Sequence, residues 1–352
     1  MQICIYRGGE RVVGRSGVGQ AIRHQTECLD RCKIPVSRRL TPDTAAVHIN
    51  TVLPDSVLAA LWAHLRGRKV IWYGHSTMED FRRSFRGSDL LAPLFRRWLI
   101  FCYRRGDLVI TPTEYSRRLL ETYGLRRPVY SLSNGVDTEY FRPDPALRKS
   151  FRSRYGLSEE DRVVISVGHT IARKGLVDFL ELARRMPETR FLWFGWTDPR
   201  LLPREILDAL DNAPANVRFP GYVDREQLRE AYCGADVFAF LSHEETEGIV
   251  VLEALACGIP TVLRDIPVYE GWLEHGRQVY KAKDLEEIQR AVAGLLDGTL
   301  PDLRAAGRET AVSRSLEAVG ARLCGIYQRE GILRRGTRGA LAQPAAGGGI
   351  LP

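Results

Sequence analysis

The stretch 242–258, SHEETEGIVVLEALACG, places three glutamates in a short loop and a fourth, Glu253, inside the apolar helical run that follows. The residues before it, 237–241 (VFAFL), predict a buried strand, so the unit is a strand, a polar loop and a helix. Helices in a protein core rarely bury a carboxylate without a partner. The sequence therefore raises the question of what Glu253, and Glu245 eight residues earlier, bind.

The same strand–loop–helix unit recurs along the whole chain. Strands are predicted at 2–6, 46–50, 69–73, 107–111 and 128–132, and then at 163–167, 190–194, 216–219, 237–241 and 259–263. Helices are predicted between them, for example at 17–32, 55–66, 115–123, 175–185, 204–211, 226–232 and 285–296. Such alternation predicts parallel sheets wrapped by helices. Two series of strands predict an α/β protein with two doubly wound domains.

The length of the chain and one charged, proline-containing segment indicate where the domains meet. The chain has 352 residues, about twice the usual size of one domain. The charged, proline-containing segment 142–161 has no strand pattern and marks the boundary. We expect an N-terminal domain at 1–145 and a C-terminal domain at 146–305. A helical segment at 306–333 is expected to pack back on the first domain, and the Gly/Pro/Ala-rich residues 334–352 to form a flexible tail.

Composition narrows the class of protein. Hydrophobic residues make up 44% of the chain and charged residues 27%, as in soluble globular proteins, and no apolar run reaches the roughly 18 residues of a membrane span. The N-terminus has no apolar leader run, and seven scattered cysteines suit reduced thiols. Cys28 and Cys32 have helical spacing, but no second pair completes a zinc site. We therefore expect a cytosolic protein.

The net charge of +8 favours an anionic partner such as nucleic acid, a phosphate-bearing ligand or a membrane surface. A merely soluble, arginine-rich protein is the alternative. Ligands of doubly wound sheets bind beyond the C-terminal ends of the strands. Gly17 and Gly19 follow the first strand, where a phosphate or sugar could approach the backbone, although a plain turn explains them equally well. No GxGxxG or Walker pattern follows, which disfavours dinucleotide redox chemistry.

The predicted helix of the opening stretch begins near Gly248, and its first backbone N–H groups have no acceptor within the helix. These groups form an anion site suited to a diphosphate. Glu253 lies where a carboxylate can accept hydrogen bonds from both ribose hydroxyls, and Glu245 where it can bind the hydroxyls of a sugar. The alternative is that Glu244, Glu245 and Glu247 are solvated loop charges.

Taken with the rest of the chain, these residues resemble a known family. Glu245 and Glu253 in the spacing E-x7-E, followed by LACGIPTV, resemble the signature of retaining nucleotide-sugar glycosyltransferases of family four, which have the GT-B fold. Other stretches resemble the family's diphosphate loop, its inter-domain connector and its base-pocket region: VGHTIARKGLVDFLELA (167–183), SNGVDTEYF (133–141), GYV (221–223) and AYCGADVFAFLS (231–242). The ordered set is specific, whereas each motif alone is not.

The resemblance implies roles for individual residues. Lys174 matches the basic residue that neutralises the donor diphosphate, Glu253 the ribose ligand and Glu245 the glutamate at the donor sugar. The remaining matches are the amides beside the phosphates and the base pocket: Gly248, Ile249 and Val250, and Tyr222 and Val223.

The chain departs from the family at one position. The usual arginine after VG is His169 here, so either Arg173 supplies the second positive charge or phosphate binding is weaker. Opposite charges about 4 Å apart are worth roughly 4 kcal/mol at an effective dielectric of 20, and we rank Arg173 above His169. A nucleoside diphosphate leaves as an anion that fixed donors and cations can stabilise. We find no DxD pair in a suitable context, so no cofactor and no metal are expected beside the UDP-sugar substrate.

The segment 81–107 carries seven arginines and two acids. Its apolar residues fall near helical spacing, with arginines alongside: Leu94, Phe95, Trp98, Leu99 and Phe101. Such a helix can lie in an anionic membrane surface, where five net charges at about 1 kcal/mol each would give roughly 5 kcal/mol. A core helix with arginines on its solvent side explains the same pattern, and high arginine content can also follow from genomic base composition.

The details of the resemblance favour a lipid acceptor. HSTMEDFRRSF (75–85), SGVGQAIRHQ (16–25) and the long stretch 244–272 look most like bacterial enzymes that glycosylate diacylglycerol, which touch the bilayer through a basic N-terminal domain. The resemblance places His75 in the cleft near sugar and acceptor; the alternative is a strand-end histidine bonded to the backbone.

The leading hypothesis is a retaining transfer of glucose or galactose from UDP-hexose to diacylglycerol or glycosyl-diacylglycerol, by a cytoplasmic protein peripherally bound to the membrane. A phosphatidylinositol, cell-wall or soluble glycan acceptor is the alternative within the class. A non-catalytic basic protein that binds membrane or nucleic acid is the alternative outside it. We expect no nucleic-acid partner, because aromatic residues do not interleave the arginines as in stacking platforms.

Overall fold

The computed structural model describes residues 2–9, 14 and 16–333. The first sheet contains β1 (Gln2–Tyr6), β2 (Val36–Ser37), β3 (Thr44–Ile49), β4 (Lys69–Tyr73), β5 (Leu108–Thr111) and β6 (Val129–Ser131). The second contains β7 (Val163–Val167), β8 (Arg190–Phe194), β9 (Val217–Gly221), β10 (Val237–Phe240), β11 (Thr261–Arg264) and β12 (Tyr280–Ala282).

The strand orders are β2-β1-β3-β4-β5-β6 and β12-β11-β10-β7-β8-β9, and every pairing between these strands is parallel. Central strands such as β5 and β7 are buried along their whole length, as expected of parallel sheets with helices on both faces. The prediction of two doubly wound α/β sheets is therefore confirmed. The short edge strands β2 and β12 were not predicted, because two or three residues carry no periodicity.

Helices connect the strands. Those around the first sheet are α1 (Gly17–Arg31), α2 (Pro54–Leu65), α3 (Met78–Phe81), α4 (Ser88–Tyr103) and α5 (Glu114–Glu121). Those that follow are α6 (Pro145–Tyr155), α7 (Leu176–Arg185), α8 (Arg204–Asp211), α9 (Arg225–Gly234), α10 (Ile249–Cys257), α11 (Leu285–Leu296), α12 (Arg304–Val312) and α13 (Leu316–Arg329). Among the described helices, none combines the length and the apolar character needed to cross a membrane.

The last helices belong to different sheets. Helix α12 packs on α10 of the second sheet, and its Ala311 lies in that core. Helix α13 packs on α1 and completes the core under the first sheet, where Tyr327 Oη lies 2.5 Å from Nε2 of buried His48. The chain thus returns to the first sheet at Leu316 rather than at residue 306. The tail predicted at 334–352 lies outside the described residues.

The polypeptide passes between the two sheets twice, and the two crossings are hydrogen-bonded to each other. The N–H of Val136 donates to the carbonyl of Arg314 at 3.0 Å, and the N–H of Leu316 donates to the carbonyl of Val136 at 3.1 Å. This pairing forms a single parallel β-bridge between Val136 and Ser315.

Candidate donor site

The site lies where the strand order of the second sheet reverses. Strands β7 and β10 are neighbours, while the chain runs outward from them to β8 on one side and to β11 on the other. Ligands of open α/β sheets bind at such a switch point, beyond the carboxyl ends of the strands. The two loops that follow β7 and β10 carry Lys174 and Glu245, and they meet there.

Lys174 and Glu245 form a buried ion pair. The Lys174 ammonium donates to Oε1 of Glu245, and the hydroxyl of Ser242 donates to the same oxygen at 2.6 Å. Burial alone would raise the pKa of Glu245, but the neighbouring cations Lys174 and Arg173 hold this pKa below its usual value. Burial lowers the pKa of Lys174 despite its partner. The two loops are thus tied together by a charged contact that an incoming diphosphate can compete for.

Arg173 faces the other domain. Its Nη1 lies 2.7 Å from Oδ1 of Asp80 and donates to the carbonyl of Glu244 at 2.8 Å, while Nε donates to Ser84 at 3.0 Å. The same Nη1 lies 3.9 Å from Oε1 of Glu245. Arg173 is 8% exposed, and its guanidinium is occupied by these partners. Its prediction as the second diphosphate cation stays a prediction, because the donor would have to share this guanidinium with Asp80.

His169 lies at the exposed rim of the same site. Its Nδ1 is 3.1 Å from the carbonyl of Trp196, whose ring is 55% exposed. Unlike Arg173, this side chain has no carboxylate within ion-pair distance among the described residues. It therefore lacks the competing carboxylate that Arg173 has, but burial and the neighbouring cations lower the pKa of His169, which disfavours its charged form.

Glu253 is buried inside α10, and both carboxylate oxygens have partners. The hydroxyl of Tyr232 donates to Oε2 at 3.1 Å, and the amide of Gln20, from the first turn of α1, donates to Oε1 at 2.5 Å. Burial raises the pKa of Glu253 to about 7, although the two donors oppose the shift. The Glu253 carboxylate is thus held by one residue from each domain.

The other two glutamates of the loop also have specific partners. Glu244 accepts from the hydroxyl of Tyr115 at 2.9 Å, and its pKa is raised to about 7 by burial and by nearby acids. Glu247 is buried and accepts from the backbone N–H and the side-chain amide of Asn134, at 2.9 and 2.8 Å. The alternative that these are solvated loop charges is therefore wrong.

Two glycines allow the loops to approach each other. Gly175 has a φ of +77°, and a Cβ there would lie 2.2 Å from the carbonyl oxygen of Leu241. Gly248 has a φ of +89° and is the N-cap of α10, so the first residues of the helix, Ile249 and Val250, follow directly after the loop that carries Glu245. A side chain at either position would be strained.

His75 lies behind the cleft at the end of β4, in a buried polar network. Its Nε2 is 2.9 Å from Oδ1 of Asn50, which exchanges hydrogen bonds with Gln25. The predicted alternative of a backbone partner for the ring is not what the structure shows. Burial lowers the pKa of His75 to about 4, so the imidazole is neutral near pH 7. With Nε2 donating to the amide oxygen, Nδ1 is an acceptor.

The remaining predicted residues lie around this centre. Gly17 is exposed and begins α1, about one turn before Gln20, and Gly19 is buried and directly precedes Gln20. Tyr222 is 54% exposed after β9, and Val223 packs partly against the core of the second sheet. The structure places Gly17 near the Glu253 end of the site through Gln20.

Sequence reasoning missed four contacting residues: Asp80, Ser84, Tyr232 and Gln20. Asp80 and Ser84 lie in HSTMEDFRRSF, and Tyr232 lies in AYCGADVFAFLS, both quoted above for their resemblance. A buried cation at Arg173 needs a counter-charge, which could have directed attention to a carboxylate in the first domain. No such signal exists for Gln20, because its contact joins residues 233 positions apart.

Comparison with known proteins shows which family this chain belongs to. Residues 148–313 match the family "Glycosyl transferases group 1", and residues 35–140 match "Glycosyltransferase Family 4". The chain is 36% identical over 329 residues to the processive diacylglycerol alpha-glucosyltransferase of Acholeplasma laidlawii, covering 93% of this chain and 98% of that protein. The chain belongs to glycosyltransferase family four. The predicted family and enzyme class are confirmed: this is a retaining, nucleotide-sugar-dependent glycosyltransferase.

Two further comparisons extend this result. The alpha-galactosylglucosyldiacylglycerol synthase of Streptococcus pneumoniae is 28% identical over 303 residues, covering 83% of this chain and 79% of that protein. The Anabaena HepE structure with UDP and glucose superposes with a TM-score of 0.75 at 15% identity, covering 93% of this chain and 99% of that one. This likeness confirms the GT-B fold.

The described residues, 2–9, 14 and 16–333, include no group of three or more His, Cys, Asp or Glu side chains that could hold a metal ion. Whether the reaction needs a metal stays a prediction.

Proposed function

We propose that this glycosyltransferase moves glucose or galactose from UDP-hexose, with retention, to a membrane lipid such as diacylglycerol or glycosyl-diacylglycerol. The observation that carries the proposal is the 36% identity, across 93% of the chain, to a diacylglycerol glucosyltransferase. The loops around Lys174 and Glu245 support it, because their charges and helix amides suit a nucleoside diphosphate attached to a sugar.

In this proposal the donor lies across the switch point of the second sheet. Glu253 accepts hydrogen bonds from the ribose hydroxyls after Gln20 gives up its contact, and the uracil stacks near Tyr222 and Val223. The amides of Gly248, Ile249 and Val250 and the ammonium of Lys174 hold the diphosphate. The second cation is Arg173 or His169.

Lys174 changes partner during donor binding. In the structure its ammonium neutralises Glu245, and a diphosphate beside the helix N-terminus offers it a second anion. Glu245 then keeps the hydroxyl of Ser242 and the more distant Arg173, and its carboxylate can accept hydrogen bonds from the sugar hydroxyls.

Cleavage of the bond between the sugar and the phosphate leaves an anion that these donors stabilise, so no dedicated general acid is required for the leaving group. The acceptor hydroxyl attacks from the same face, and an oxygen of the departing phosphate takes its proton. His75 is neutral, so it contributes a hydrogen-bond acceptor near the sugar rather than a charge.

The protein is proposed to bind the cytoplasmic membrane surface peripherally through the basic segment 81–107. Helix α4 in that segment has exposed Leu94 and Phe101 on one face, whereas Leu99 is buried in the core and is not available to lipid. One face of the helix packs in the core, as the core-helix alternative predicts, and the opposite face is apolar and exposed. Membrane binding by that exposed face stays a prediction.

The test is incubation with radiolabelled UDP-glucose, UDP-galactose and GDP-mannose, each with diacylglycerol in mixed micelles, followed by extraction into organic solvent. Label from a UDP-hexose in the organic phase supports the proposal. Label that stays aqueous with diacylglycerol, but reaches the organic phase with phosphatidylinositol, would instead support the alternative acceptor. That alternative is favoured by the 34% identity over 234 residues to a mannosyltransferase of Mycolicibacterium smegmatis that acts on phosphatidylinositol monomannoside.

A further inference from the structure

Exposed apolar side chains are concentrated on two helices of the first domain. Of the fourteen large hydrophobic residues that are exposed in the described chain, nine lie between residues 58 and 101. Eight of these form what we call the two-helix apolar face: Leu58, Leu61, Trp62 and Leu65 of α2, and Leu90, Leu91, Leu94 and Phe101 of α4. Single exposed leucines are normal on protein surfaces, but a contiguous group marks an interaction site.

The spacing on α2 shows that its apolar stripe faces away from the core. Residues 58, 61, 62 and 65 follow the i, i+3, i+4, i+7 pattern of one helix face. The residues that α2 buries are small or short and lie on the opposite side: Ser56, Val57, Ala60 and Ala63. Leu65 is 86% exposed and Leu58 is 67% exposed. The helix is therefore apolar on both sides, and only one side has a partner within the described chain.

Helix α4 has the same arrangement. Its exposed stripe runs through Leu90, Leu94, Arg97 and Phe101, while Ala92, Leu99, Cys102 and Tyr103 are buried on the other side. Both helices pack on the same face of the first sheet and share one core cluster. They are also joined directly, because the indole N–H of Trp98 donates to the carbonyl of Val52, just before α2, at 2.6 Å. Their outward stripes therefore form one surface.

Positive charge surrounds this surface. Exposed arginines precede or follow the two helices, at Arg66, Arg82, Arg86 and Arg104, and Arg97 lies within the stripe of α4. The guanidinium of Arg66 lies 4.1 Å from the ring of Trp62, and that of Arg105 lies 3.3 Å from the ring of Phe101. Apolar side chains in the middle with cations at the edge match the hydrocarbon and the anionic headgroups of a bilayer.

We propose that the two-helix apolar face is the membrane-docking surface and that α2, which lies outside the basic segment, inserts beside α4. This inference rests on the proposed lipid acceptor and names the surface that reaches it. The occupant is an anionic bilayer. Residues 80–86, which directly precede α4, connect this face to the donor site. Phe85 is exposed, and the N–H of Arg86 donates to the carbonyl of Leu201 in the second domain. Asp80, at the start of the segment, pairs with Arg173 of the donor site. The docking surface is thus continuous with the mouth of the cleft.

Substituting leucines is a sharper test than substituting arginines. The side chains of Arg96 and Arg104 donate to the carbonyls of Thr122 and Gly124 at the end of α5, so removing them would disturb the fold as well as the charge. Leu58→Ser, Leu61→Ser and Leu65→Ser together leave every arginine in place. Val312→Ser is the control, because this residue is 47% exposed, like Leu61 at 45%, but lies on α12 of the second domain.

Sedimentation with vesicles of phosphatidylglycerol and phosphatidylcholine in equal parts measures docking. We expect the triple α2 variant to partition at least about tenfold more weakly than wild type, and the control to partition like wild type. Leu90→Ser with Leu94→Ser should weaken partitioning into the vesicles by a comparable factor. Vesicle binding by the α2 variant equal to that of wild type would overturn the inference. So would a wild-type dimer in light scattering that the α2 variant dissociates, because the face would then bind a second copy.

Calorimetric titration with UDP separates this inference from the proposed function. Wild type and all three variants should bind UDP equally, since none of the substituted residues lies near Lys174 or Glu253. Vesicle binding without UDP binding would contradict the proposed donor site and leave the docking surface intact. A thermal melt of each variant, within a few degrees of wild type, establishes that the helices are folded.

Discussion

Glu253→Gln should make the protein more stable at pH 8 while it weakens donor binding. Glu253 is 2% exposed, and burial raises its pKa to about 7, against about 4.3 in an unfolded chain. A carboxyl group with a raised folded pKa is bound to a proton in the folded state when the unfolded chain has already lost it. Its contribution to stability is therefore complete below about pH 4 and is lost as the pH rises through 7.

The size of the effect follows from the two pKa values. Their difference corresponds to about 3 to 4 kcal/mol of unfolding free energy lost between acidic pH and pH 8. Glutamine has nearly the same shape and no charge, and its amide can satisfy both neighbours because the Tyr232 hydroxyl can accept as well as donate. We expect the melting temperature of Glu253→Gln, relative to wild type, to rise by several degrees between pH 5 and pH 8.

The assay is thermal unfolding at both pH values, with the exposed Glu226→Gln as control, followed by UDP titration. The control should show the same difference from wild type at pH 5 and pH 8. UDP binding by wild type should strengthen as the pH rises through 7, because the ionised carboxylate is the form that accepts both ribose hydroxyls. A Glu253→Gln melting difference that does not change with pH would refute the reasoning, since the wild-type carboxylate would then not be neutral in the fold.

Further outcomes follow from the other buried charges. Lys174→Met should lower kcat by at least about a hundredfold, since one electrostatic donor to a developing anion is typically worth that much; unchanged turnover of UDP-hexose would remove Lys174 from the site. Asp80→Asn leaves the Arg173 guanidinium with only the more distant Glu245 as counter-charge and should lower the free energy of unfolding by about 3 kcal/mol. Asp80→Glu should retain most of that free energy, as denaturant titration would show. His75 stays neutral above its pKa of about 4, so the activity profile between pH 5.5 and 8.5 should keep its shape in His75→Gln, even where the rate falls. A shift of the acidic or the basic side of the pH–activity profile in that variant would show that His75 titrates in this range.

Much of the fold could be predicted from the local pattern of apolar and polar residues. The apolar strands and amphipathic helices were long enough to show their periods, and strands such as Val163–Val167 and Arg190–Phe194 have the bounds that the pattern predicts. Two edge strands were missed because they are too short for periodicity. The segment 142–161 contains helix α6, whose charged sequence hid the buried Phe151 and Arg152.

The site was predictable only where its residues lie close in sequence or follow a family pattern. Glu245, Gly248 and Glu253 belong to one loop and helix, so spacing and helix-end chemistry were enough to single them out. Their partners come from elsewhere: Gln20 from α1 and Asp80 from the segment before α4. No local period encodes such contacts, because they depend on how the two sheets meet. The exposed stripe of α2 could not be predicted for a different reason. The sequence of a helix that is apolar on both faces does not show whether one face or both faces are buried.

The paired crossings at Val136 and Ser315 limit how the cleft can open. Two strands bonded side by side can bend together, but sliding one along the other would break both of their hydrogen bonds. The bridge therefore favours rotation of one domain about the crossings over sliding of one crossing along the other. Such a rotation keeps the crossings paired, whereas contacts farther from them separate.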